Sequence, residues 1–206
     1  MRDVTLQMDS VSKKATRVNI LKYALIISEQ IEISGRTRDE IMFLIDIVLS
    51  KTQFQQIRPE LICVTCILFI LKLEDDINAK VKGFFKFVVN QLKISFKDIK
   101  QLEAFIISII PDYFVFIPSM KSVIEVLSKI INANNDTVHK NNQIEAYCLQ
   151  KYINSVNDLT YSNIIIDSII SISTDQESIH KTYDLLRAVF VSNEIEILWL
   201  KIISDD

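Results

Sequence analysis

Hydrophobic residues recur along most of this chain at the three- and four-residue spacing of α-helices, and one stretch departs from that pattern. Between Leu61 and Leu71 the only polar side chain is Thr65, so a helix here is apolar nearly all round. Such a helix is buried among other helices, and the run is shorter than the ~20 residues that cross a bilayer. Pro59, a residue suited to a first helical turn, precedes the stretch, and Lys72 follows it. The pattern predicts a central buried helix whose charged end reaches the surface.

Helical spacing continues on both sides of this central segment and predicts an all-α protein. The predicted helices cover 15–31, 37–51, 60–72, 79–92 and 95–109, then 119–131, 142–156, 159–172, 174–191 and 194–203. Pro111 to Pro118 interrupts the pattern. We therefore expect an N-terminal arm over residues 1–14, a first domain over 15–116 and a second over 117–206.

Helix ends are predicted from residues with capping preferences. Gly35 is expected to end the first helix in a left-handed conformation. Thr37 and Glu40 have the spacing of a capping box that begins the second helix, and Ser95 has the position of a cap for the fifth. The Asn- and Asp-rich stretch 132–142 is predicted to be a surface loop.

Composition agrees with a helical, intracellular protein. The 206 residues include only 2 Gly and 3 Pro, whereas sheet-rich chains need many turns. A net charge of −3 argues against a nucleic-acid partner, and no apolar run points to a membrane partner. Three dispersed cysteines fit a reducing compartment, and the first residues lack a secretory apolar region. We expect the nucleus, the cytoplasm or both.

No residue pattern points to catalysis. Cys63 and Cys66 have metal-ligand spacing, but they lie in the apolar stretch, and His139 and His180 are isolated in sequence. No glycine-rich phosphate loop is present. We expect neither enzymatic activity nor a metal or cofactor, and interpret both cysteines as core residues.

Five residues of the first half stand at a distinctive spacing: Arg17, Asp46, Leu61, Lys72 and Glu103. The segment Leu44–Ser50 around the second of them reads LIDIVLS. These residues match the landmark types of a cyclin box at that family's spacing, and the segment is close to the LIDRFLS of cell-cycle cyclins, so the first half of the chain resembles a cyclin box. Asp112–Pro118 looks like the phenylalanine-rich bridge to a second box. The resemblance covers about residues 16–127, and the second half matches in helix number and length.

This resemblance implies two tandem five-helix cyclin-like bundles. It also implies a regulatory subunit that forms a heterodimer with a cyclin-dependent protein kinase and activates it by positioning the kinase C helix and activation loop. In that family the residues equivalent to Lys72 and Glu103 contact the kinase backbone. The expected kinase-binding surface also includes Glu74, Phe84 and Ile106.

Two further predictions concern Arg17. Arg17 and Asp46 lie among apolar neighbours, so we expect a partly buried ion pair between their helices. By resemblance, Arg17, Ile20 and Tyr23 form a candidate substrate-docking patch for substrate proteins. Asn19 stands where that patch has an apolar residue in the family.

Two other functions remain open at this stage. One is a cyclin-fold adaptor or scaffold in transcription or signalling that does not activate a kinase. The other is an unrelated all-α interaction protein, in which the landmark residues match by coincidence.

Overall fold

The computed structural model describes residues 11–51, 57–74, 79–110, 119–130 and 137–154, together with Ile164 and Ser168. The chain divides into two compact units, one spanning Leu6–Asp112 and the other containing Tyr113–Asp206. Over the described ranges every regular element is an α-helix, which confirms the all-α expectation. The predicted helices at 174–191 and 194–203, and the 1–14 arm before Val11, lie outside the described residues.

Within the described ranges, the first unit contains five helices. Their bounds are α1 Val11–Gln30, α2 Gly35–Lys51, α3 Pro59–Leu73, α4 Ala79–Gln91 and α5 Phe96–Ile109. The second unit contains α6 Met120–Ile130 and α7 Thr137–Asn154, which pack against each other. Each helix falls where the hydrophobic spacing predicts one, with starts that differ by up to five residues.

Helix α3 is the centre of the first unit, as its apolar sequence predicts. It packs against α1, α2 and α5. Residues from Ile62 to Ile67 are all buried, so neighbours cover α3 on every side. Pro59 occupies the first turn, where its missing N–H costs nothing, and Lys72 lies in the last turn. The end of α3 that carries Lys72 emerges at the surface.

Helices α1 and α4 end in the same way, and neither uses glycine. Glu32 and Lys93 have positive φ values of 59° and 52°. The N–H of Ile33 donates to the Ser28 carbonyl, and that of Ile94 donates to the Val89 carbonyl, the pattern of a Schellman motif. The expectation that Gly35 takes this conformation is wrong, because the motif closes three residues earlier.

The start of α2 also differs from its prediction. Ser34, rather than Thr37, caps the helix: its hydroxyl accepts from the Thr37 N–H at 3.1 Å. The Glu40 carboxylate accepts from the Arg36 Nε at 2.9 Å. Both Ser34 and Thr37 suit a cap, and Thr37 is buried within the first turn. At α5, by contrast, the Ser95 cap is confirmed by its bond from the Asp98 N–H.

In the second unit, α7 begins at Thr137, so the predicted loop over 132–142 is wrong from that residue onward. The turn preference of Asn and Asp is a weak local effect that helix packing overrides. Within the predicted helix 159–172, Ile164 and Ser168 are helical and buried, and the Ser168 hydroxyl donates to the Ile164 carbonyl at 2.6 Å.

Candidate functional site

The structure brings Lys72 and Glu103 together from positions 31 residues apart. Lys72 comes from the last turn of α3, and Glu103 from the middle of α5, which packs against α3. The Lys72 ammonium donates to the Glu103 carboxylate and forms an ion pair with it. The lysine side chain is 49% exposed and that of the glutamate 16%. The pair therefore lies at the surface with its cation accessible to a partner.

Two exposed apolar residues adjoin the pair in sequence. Leu73 follows Lys72 and is 58% exposed, and Ile107, one helical turn after Glu103, is 65% exposed. Residues four apart share a helix face, so Ile107 lies on the Glu103 side of α5. Ile106, the residue predicted for this surface, is fully buried and supports α5 from inside. Counting from Glu103 in steps of four identifies Ile107 from the sequence.

Glu74 is held by α2. The Thr37 hydroxyl donates to the Glu74 carboxylate at 2.5 Å, and the Ser34 and Thr37 hydroxyl oxygens are 2.7 Å apart. Because Thr37 gives its only hydroxyl hydrogen to Glu74, Ser34 donates to Thr37. This chain of hydrogen bonds links the α2 cap to the residue that follows α3. Glu74 thus helps to position the end of α3, two residues from Lys72.

A buried carboxyl group, that of Glu40, lies near these hydrogen bonds, and only 6% of the residue is exposed. Burial is the largest influence and raises the pKa of Glu40 above its ordinary value. The hydrogen bond from Arg36 opposes that increase, whereas the negative charges of Glu74 and Asp39 add to it. Asp39 is itself buried and accepts from Arg38 at 2.9 Å.

The raised pKa of Glu40 predicts a pH-dependent stability. The folded chain binds the Glu40 proton more tightly than the unfolded chain, so this contribution is complete at acid pH and is lost as pH rises through the folded pKa. Glu40→Gln cannot titrate. We therefore expect the unfolding free energy of the wild type, relative to Glu40→Gln, to fall as pH rises above about 4.3, the ordinary glutamate pKa of the unfolded chain. Denaturant titrations of both proteins measure this difference, and a difference independent of pH contradicts the assignment.

The aromatic residues of α4 divide between core and surface. Phe85 is 4% exposed, and Phe84 is half-buried against it, edge to face, with ring centroids 5.8 Å apart. Phe84, predicted to belong to the kinase-binding surface, is therefore engaged with a core neighbour. Phe87 is 61% exposed and is the α4 aromatic that faces solvent.

Arg17 and Asp46 form a buried ion pair between α1 and α2. Arg17 Nε and Nη2 donate to the two Asp46 carboxylate oxygens at 2.8 and 2.7 Å, so the contact is bidentate. Their side chains are 6% and 9% exposed. Bidentate geometry satisfies both charged groups and fixes the approach of the two helices.

The candidate substrate-docking patch has little surface. Arg17 and Ile20 are 5% and 3% exposed, and only Tyr23, at 36%, reaches solvent. Burial raises the pKa of the Tyr23 hydroxyl, and nearby Cys63 and Glu60 raise it further. The three residues do not form a shared apolar groove, because Arg17 and Ile20 are buried in the core.

Cys63 and Cys66 are buried free thiols. Burial raises the pKa of both thiols, which disfavours the reactive thiolate and fits their interpretation as core residues. Nearby Thr65 has the one buried side-chain oxygen without a hydrogen-bond partner in the described part of the chain. Over the same residues, no three His, Cys, Asp or Glu side chains group as metal ligands do.

Comparison with protein-family models, curated proteins and solved structures finds no match. Among the helices that the structure describes, none has both the length and the apolar character of a transmembrane segment.

Proposed function

We propose that this protein is a cyclin-like regulatory subunit, built from two tandem cyclin-like bundles, that binds and activates a cyclin-dependent protein kinase. The single observation that carries the proposal is the Lys72–Glu103 pair at the surface where α3 meets α5. The resemblance of the first half to a cyclin box implies kinase contact by these two residues.

The chemistry of the pair supports binding to a polypeptide backbone. An ammonium group has three donor hydrogens, and a carboxylate has acceptor sites beyond the one that Lys72 uses. Charge-assisted bonds to backbone carbonyl and N–H groups are roughly twice as strong as neutral ones. Leu73 and Ile107 add exposed apolar area beside the pair, as the core of a protein interface requires.

Activation in the proposed mechanism is a shift of population in the kinase. The subunit contacts the kinase C helix and favours its inward conformer, in which the kinase's own lysine–glutamate ion pair is assembled. The activation loop moves with it. Phosphoryl transfer is carried out by the kinase, and this chain contributes differential binding energy.

Affinity capture with the purified full chain tests the proposal. We expect a cyclin-dependent kinase to be retained from a eukaryotic lysate, and the bound fraction to phosphorylate histone protein. Lysate passed over the support without the chain provides the control. Retention of the kinase without activity would indicate a scaffold, and retention of non-kinase proteins alone would indicate a different interaction protein. Either result refutes the proposed function.

A further inference from the structure

Lysines concentrate on α4, the α4–α5 turn and the start of α5. From Ala79 to Gln101 the sequence has six lysines and a single acidic residue, Asp98, within a chain whose net charge is −3. Five of these lysines have described, exposed side chains: Lys82, Lys86, Lys93, Lys97 and Lys100. The net charge of the whole chain is negative, but this segment is locally positive. The argument from net charge against an anionic ligand therefore does not apply to this segment.

These lysines lie on two successive helices and the turn between them. Lys82 and Lys86 are four residues apart and therefore share one face of α4. Lys93 holds the left-handed position that ends α4, and Lys97 and Lys100 occupy the first two turns of α5. None of the five forms an ion pair within the described part of the chain. Among the described residues, no carboxylate therefore neutralises their charges.

Exposed aromatic rings accompany these lysines. Phe87 follows Lys86 and is 61% exposed, and Phe96 precedes Lys97 and is 67% exposed. We call the five lysines and two phenylalanines the Lys–Phe surface. Exposed phenyl rings beside clustered lysines suit a ligand surface that is both anionic and apolar.

We propose that the Lys–Phe surface binds the anionic face of a lipid bilayer, with Phe87 and Phe96 inserted between headgroups. Clustered basic residues with phenylalanine are typical of surfaces that bind anionic lipid. Lysine is a hydrated point charge that acts through the field of a diffuse surface, whereas arginine predominates where phosphates are bound in defined geometry. All five cations are lysine, which favours a bilayer over a nucleic acid. The inference does not rest on the proposed kinase partner, although Phe96 and Lys100 share the α5 face of Glu103 and Ile107.

Vesicle sedimentation with the full chain tests the inference. We expect binding to phosphatidylcholine vesicles containing about one third phosphatidylserine, weakening with added salt, and little binding to phosphatidylcholine alone. Each lysine near an anionic bilayer strengthens binding about fivefold, so Lys82→Glu/Lys86→Glu should weaken it at least about 25-fold. Lys97→Glu/Lys100→Glu should act similarly, and a carboxylate at position 97 suits the first turn of α5.

Two further variants separate charge from insertion. Lys22→Glu/Lys51→Glu makes the same charge change at exposed lysines of α1 and α2 and should bind as the wild type does. Phe87→Ala/Phe96→Ala keeps every charge and should remove the binding that persists at high salt. Equal binding by wild type and Lys82→Glu/Lys86→Glu overturns the proposal. So does tighter binding to a single-stranded oligonucleotide that displaces the chain from vesicles.

Discussion

Arg17→Ala is expected to destabilise the first unit by about 3–5 kcal/mol, because it leaves the buried Asp46 carboxylate without its bidentate partner. An unpaired charge in a buried position is far more costly than a lost surface contact. For a chain of this length, the loss corresponds to a fall in melting temperature of at least about 6 °C. Chemical denaturation followed by far-ultraviolet circular dichroism measures it.

The matched control removes both charges together. Arg17→Met/Asp46→Leu replaces the pair by apolar side chains, which is often neutral or stabilising at buried ion pairs. We expect this double variant to be more stable than Arg17→Ala. A cost below about 1 kcal/mol for Arg17→Ala, typical of exposed pairs, would show that the contact does not hold α1 and α2 together.

Replacing both residues of the surface pair, as Lys72→Ala/Glu103→Ala, is expected to weaken kinase binding at least about tenfold. Each residue offers charge-assisted bonds worth about 1.5–3 kcal/mol to the partner, and about 1.4 kcal/mol is a tenfold change in affinity. Stability should change little, since exposed ion pairs contribute about 0–1 kcal/mol. Affinity capture and thermal melting of the same preparation measure both quantities.

Lys22→Ala/Glu29→Ala provides the comparison for that variant. It removes one exposed lysine and one exposed glutamate from α1, so the net charge changes identically. This control should retain kinase binding. If Lys72→Ala/Glu103→Ala and the control retain equal amounts of kinase, the Lys72–Glu103 pair is not part of the kinase interface.

The central architecture of the first unit could be predicted because strong signals specify it. The apolar run of α3 with Pro59 before it identifies a buried helix without tertiary information. The Ser95 cap needs only a local hydrogen bond. Arg17 and Asp46, each placed among apolar neighbours, point to a buried pair that the structure forms.

The remaining features depend on packing or on helix phase, which local sequence does not specify. Ser34 and Thr37 are both good caps, and burial of Thr37 against α3 decides between them. Ile106 and Ile107 are identical side chains, and a rotation of about 100° between neighbours makes one core and the other surface. The cluster of lysines on α4 and α5 is not apparent from the net charge, because that value sums the basic and acidic residues of the whole chain.

The proposed interface is tested most directly by a photo-crosslinking residue introduced at position 107, beside Glu103. Ile107 is 65% exposed, so the substitution leaves the core intact, and exposed Ile26 on α1 offers a matched position away from the pair. After irradiation in lysate, mass spectrometry identifies what is attached. We predict a cyclin-dependent kinase crosslinked from position 107, through a peptide near its C helix, and not from position 26. Absence of any kinase from position 107, or a kinase crosslinked only from position 26, would contradict the assignment of this surface.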